Sequence, residues 1–117
     1  MAKNENRVAP IKITDGKGNT YELDFSRESV KFAESRGFDI SNLLTFPQTN
    51  IPALWYYAFR KNHKNVARNK TDELLDAIGA LKTEELERLV QLYNQPNEAL
   101  ILANGEERKN SQITVEM

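Results

Sequence analysis

Residues 11–38, IKITDGKGNTYELDFSRESVKFAESRGF, decide the fold class. Ile11 and Ile13 alternate with Lys12 and Thr14, and Tyr21, Leu23 and Phe25 alternate with Glu22 and Asp24. Period two predicts two strands, 11–14 and 20–25, each with one apolar face. The DGKGN between them supplies glycine and asparagine for the positive φ of a hairpin turn. It is no phosphate loop, because neither Walker spacing nor a helix-opening Lys-Ser/Thr follows. A lone hairpin is marginal in water, so a helix or another chain must cover its apolar side. Ser26 then reads as a helix N-cap, with Phe25 and Val30 spaced as a hydrophobic staple. Gly37 stops that helix in a left-handed position with Phe38 folding back, which gives a helix over 27–36.

Working outward, Asp39 caps a short turn carrying Ile40, Leu43 and Leu44, and FPQTNIP breaks that turn. Residues 51–65, IPALWYYAFRKNHKN, hold the only tryptophan and the only histidine. Pro52 suits a first helical position, where its missing N–H costs nothing. Ile51, Leu54, Trp55, Ala58 and Phe59 form one apolar stripe at helical spacing, which assigns Trp55 and Phe59 to the core. Tyr56, Tyr57, Arg60 and Lys64 fall on the neighbouring wet edge. A third helix follows Val66, capped by Asn69 or Thr71, with Asp72 and Glu73 in its first turn. Leu74, Leu75, Ile78 and Leu81 make its core face. Thr83 caps a fourth helix with Leu86, Leu89, Val90 and Tyr93 inward, and Pro96 ends or kinks it. NEALILA adds one more helical segment.

The expected architecture is α+β: an N-terminal β-hairpin packed on a small domain of four to five helices. Residues 1–7 are expected to be a flexible lead, 8–103 the single domain and 104–117 a polar, mobile tail with a β-prone end at Ile113 to Val115. The predicted core contains Ile13, Leu23, Trp55, Phe59, Leu75, Leu89 and Val90.

A chain of 117 residues fits one domain. With no cysteine and one histidine, disulfides, thiolate chemistry and multi-histidine metal sites are excluded. Sixteen basic against seventeen acidic residues leave a net charge of −1, so no global field draws nucleic acid or an anionic membrane. The polar MAKNENRVAP has no signal-peptide core, and no apolar run reaches membrane-spanning length. A cytoplasmic protein is expected.

No catalytic signature emerges. His63 lacks a carboxylate among its sequence neighbours and reads as a solvated side chain near a helix C-terminus. Glu84, Glu85 and Glu87 read as a solvated face. Arg60, Lys61, Lys64, Arg68 and Lys70 form a basic run without an acid, whereas residues 72–88 carry six acids. That separation suits head-to-tail self-association better than nucleic acid. The protein-binding residues inferred are Tyr56, Tyr57, Arg60, Lys64 and Arg68. No catalytic, cofactor or metal residue is assigned.

The order of these parts carries a resemblance over about residues 8–117. A hairpin and helix, IKITDGKGNTYELDFSRESVKFAESRGFDI, precede the aromatic helix IPALWYYAFRKNHKNV. NKTDELLDAI, an acidic amphipathic helix and a tail ending ITVEM follow. This resembles the small tail assembly chaperones of long-tailed bacteriophages and of prophages in Gram-positive bacteria. YELDFSRESVKFAESRGFDI and the aromatic helix followed by HKN are its strongest pieces. The resemblance implies a non-enzymatic, cofactor-free homo-oligomer. Such a protein coats the long helical tape measure protein in the host cytoplasm and is not expected in the finished virion. It further implies a frameshifted longer form that recruits major tail protein, with this chain as the shorter form. The family has no catalytic residues to carry over. Three other readings stay open: a small regulator touching nucleic acid through residues 60–70, a structural connector or minor tail component, and an enzyme.

Overall fold

The computed structural model describes residues 8–101 and 115–117. The expected flexible lead at 1–7 and most of the expected tail lie outside the described residues, as do the last two residues of NEALILA. Strands β1 (Ile11–Thr14) and β2 (Thr20–Leu23) pair antiparallel, Ile11 opposite Leu23 and Ile13 opposite Tyr21. Four helices follow: α1 (Arg27–Ser35), α2 (Pro47–Tyr57), α3 (Arg68–Ile78) and α4 (Thr83–Glu98). The protein is thus a small α+β domain with an N-terminal hairpin, as its periodicities predict.

The hairpin turn and α1 form for the reasons their residues suggest. Asp15 Oδ1 accepts the N–H groups of Lys17 and Asn19, and Gly18 takes φ +85°. Ser26 Oγ accepts the Ser29 N–H while Ser29 Oγ accepts the Ser26 N–H, a reciprocal cap. At the other end Gly37 sits at φ +86°, and the Phe38 and Gly37 N–H groups reach back to the Ala33 and Glu34 carbonyls. That pattern closes the helix with its last carbonyls satisfied. Asp39 caps a single 3₁₀ turn, Ile40–Asn42.

The remaining helix ends differ from expectation. Pro47, not Pro52, takes the first position of α2, so Pro52 lies inside the helix. The helix stops at Tyr57, and the next carbonyl turns to the residue after β2: Ala58 accepts the Asp24 N–H. Arg60 and Lys64 therefore lie beyond α2 rather than along its edge. α3 begins at Arg68 behind Ala67, earlier than either predicted cap, which puts Asp72 and Glu73 in its second turn. Arg68 and Lys70, disfavoured there by the helix dipole, pair forward with Asp72 and Glu73. Thr83 is the first helical residue of α4, and the Glu85 side chain accepts the Lys82 N–H before it. Pro96 does not end α4, which continues to Glu98.

One core joins all elements. Leu23, Phe25, Val30, Ala33, Leu54, Trp55, Phe59, Leu74, Leu89, Leu92 and Tyr93 are buried. Trp55, Phe59, Leu23 and Leu89 are placed as predicted, whereas Ile13, Leu75 and Val90 are half-buried at the margin. Ile78 is 49% exposed: it lies in the last turn of α3, beyond the elements that cover Leu74. Trp55 ties α2 to α3, its Nε1–H donating to the Thr71 carbonyl at 2.8 Å.

Candidate functional site

Glu28 and Phe32 of α1 and Arg36, the residue that caps its C-terminal end, follow one another at four-residue spacing and so share one stripe. Arg60, held in the turn after α2, lies across that stripe. Its guanidinium carbon is 3.6 Å from the Phe32 ring centre, and its Nη2 is 3.3 Å from Glu28 Oε2. Arg36 approaches the same ring at 4.7 Å and has no acidic partner among the described residues. Phe32 meets Tyr57 edge to face at 6.0 Å, and Tyr57 adjoins Tyr56 at 5.2 Å. Arg68 lies 5.5 Å from the Tyr56 ring and pairs with Asp72 at 3.1 Å. The result is a continuous band of three arginines and three aromatic rings, drawn from α1, α2, α3 and the turn after α2.

The structure thus joins Tyr56, Tyr57, Arg60 and Arg68, and adds Phe32 and Arg36. The four-residue spacing in α1 is the sequence signal for that addition. Tyr57 is not on a wet edge as expected: it is 8% exposed, packed against Phe32 and Phe38. Burial raises its phenol pKa, and the positive charges of Arg68 and Arg36 partly offset that rise. Lys64 is exposed and has no recorded contact with the band. Each exposed cation–ring contact contributes about 0.5–1 kcal/mol, enough to hold the guanidinium planes over the rings. Rings flanked by planar cations offer a partner apolar contact, and Arg36, without an acidic partner among the described residues, offers carboxylate recognition.

The other unusual residues serve the fold. His63 is not simply solvated: its Nε2 accepts the Glu22 N–H at 2.9 Å, and its ring meets Tyr21 edge to face at 5.3 Å. An accepting Nε2 requires the neutral ring with its proton on Nδ1. Asn62 Nδ2 donates to the Glu22 carbonyl, and Lys61 Nζ reaches the buried Asp24 carboxylate at 2.6 Å. Residues 58–63 therefore run along the outer side of β2 and satisfy its backbone. Among the described residues, no group of three or more His, Asp or Glu is placed to hold a metal. No described helix is long and apolar enough to cross a membrane.

No curated protein and no solved structure matches this chain. A family model matches along its whole length, residues 1–117, and the chain therefore belongs to DUF5055, described as a domain of unknown function.

Proposed function

We propose that this protein is a non-enzymatic tail assembly chaperone that binds the tape measure protein and keeps it soluble in the host cytoplasm. The observation that carries the reading is the resemblance in element order from the hairpin to the ITVEM tail. The arginine–aromatic band supports it as a surface suited to a long helix. Tyrosine and arginine give binding surfaces much of their contact energy. Many modest contacts from many copies add avidity along one helix without locking it.

Co-expression tests the reading. The tape measure protein should precipitate when made alone and stay soluble, co-purifying, when this chain is present. Equal solubility with and without it would remove the proposal. A chaperone should also be absent from purified tails, whereas a connector would stay. The rival nucleic-acid reading loses ground from the ion pairs. Arg60, Lys61, Arg68 and Lys70 each meet a carboxylate of the same fold, which leaves Lys64 as the member of the basic run without one among the described residues.

A further inference from the structure

The two edges of the hairpin are not equivalent. Glu22 turns its N–H to His63 and its carbonyl to Asn62, away from β1. Its partner Lys12 is therefore at a non-hydrogen-bonded ladder position and points its own N–H and carbonyl away from β2. No described residue bonds to them, so the β2 edge is covered and, among the described residues, the β1 edge is open. At the turn end of this strand lies a mostly apolar cavity of about 230 Å³, lined by Ile13, Leu74, Ala77 and Ile78 together with Thr14, Asp15 and Gly16 of the turn. No β2 residue lines that cavity, which adjoins Ile13 and Thr14 of β1. An open edge beside an apolar recess is the arrangement to which an extended segment adds as a strand.

Lys12 limits what can dock. It is exposed on the outer face, and a lysine there discourages indiscriminate edge pairing. A fitting segment presents apolar residues on either side of an acid. Val115, Glu116 and Met117 have that pattern, are not in regular structure and are exposed, Val115 at 57% and Met117 fully. We propose that Val115–Met117 of a second copy adds antiparallel to the β1 edge, with Val115 opposite Ile13, Glu116 opposite Lys12 and Met117 opposite Ile11. In this register Val115 and Met117 share the face of Ile11 and Ile13, and Val115 lies beside the cavity. Glu116 and Lys12 meet on the other face, where an opposite-charge cross-strand pair is favourable. Because edge and strand are different surfaces, the contact is head to tail and can propagate. It does not depend on the tape measure reading, since it needs this chain alone.

Sedimentation velocity over a concentration series tests it. The chain should associate reversibly, with slower amide exchange at Lys12 as it does so. Lys12→Glu and Glu116→Lys should each weaken association about fivefold, and the two together should restore it. Val115→Ser with Met117→Ser should abolish it without changing thermal unfolding, because both residues are exposed. A chain that stays monomeric at all concentrations would overturn the proposal. So would undiminished association in the double serine variant, or a charge exchange that fails to restore. Protection of Lys12 independent of concentration would make the occupant the chain's own segment, and would equally overturn it.

Discussion

At the scale of single residues, Trp55 and Tyr93 carry the largest consequences. Trp55 is 1% exposed, stacks edge to face on Phe59 and donates to Thr71. Trp55→Ala should therefore cost about 3–5 kcal/mol in denaturant unfolding. Trp55→Phe keeps most of the packing and loses the hydrogen bond, so its cost should be clearly smaller. Tyr93 reports on pH. Burial first, then the charges of Glu34 and Asp39, push its phenol up to about 12. The folded chain thus holds this proton longer than the unfolded one. Stability from this group is intact below about pH 10 and falls as pH rises toward 12, by on the order of 2 kcal/mol. Unfolding measured at pH 9 and 11.5 should show that loss, and Tyr93→Phe should reduce it. Trp55 was legible as a core residue from spacing alone. Tyr57 was not, because its burial depends on Phe32 and Phe38 arriving from α1 and the segment after it.

At the scale of elements, local chemistry was readable and long-range chemistry was not. The hairpin and both ends of α1 follow from Asp15, Gly18, Ser26 and Gly37, whose partners all lie within five residues. Gly37→Ala should cost about 1 kcal/mol, since nothing crowds the new methyl and the left-handed backbone alone opposes it. Gly16→Ala, equally uncrowded and without positive φ, should be nearly neutral in the same thermal assay. The end of α2 was hidden because Asp24, just after β2 and far away in sequence, takes the Ala58 carbonyl. The same seam gives His63 its role. His63→Leu leaves the Glu22 N–H without an acceptor and should cost about 1–3 kcal/mol, whereas His63→Gln, which can still accept, should cost less. Equal losses in the two variants would show that ring packing on Tyr21, not the hydrogen bond, matters there.

At the scale of the whole molecule, the charge pattern changes meaning once folded. In sequence, residues 60–70 look like a basic surface facing an acidic one at 72–88. In the structure the two blocks partly neutralise each other through Arg68–Asp72 and Lys70–Glu73, while Arg60 and Lys61 turn to Glu28 and Asp24. Linear spacing could not show this, because two of those partners lie more than thirty positions away. The expected outcome is no salt-sensitive binding to single- or double-stranded DNA or RNA in fluorescence anisotropy at low salt. Affinity that falls steeply as salt rises would reinstate the nucleic-acid reading. The band of Phe32, Arg36, Tyr56, Arg60 and Arg68 was half legible: its aromatic helix stood out, whereas its α1 contribution needed the helices packed.

The seam along β2 also sets a timetable. During synthesis the hairpin leaves the ribosome well before the residue that finishes its edge, since His63 lies 41 positions beyond Glu22. At about 5–20 residues per second, that interval lasts about 2–8 seconds. Throughout it both hairpin edges stand open beside neighbouring nascent chains on the same message. Translation speed across residues 23–63 thus sets how long β2 can take a wrong neighbour, and slowing it there should raise the aggregated fraction of newly made chain.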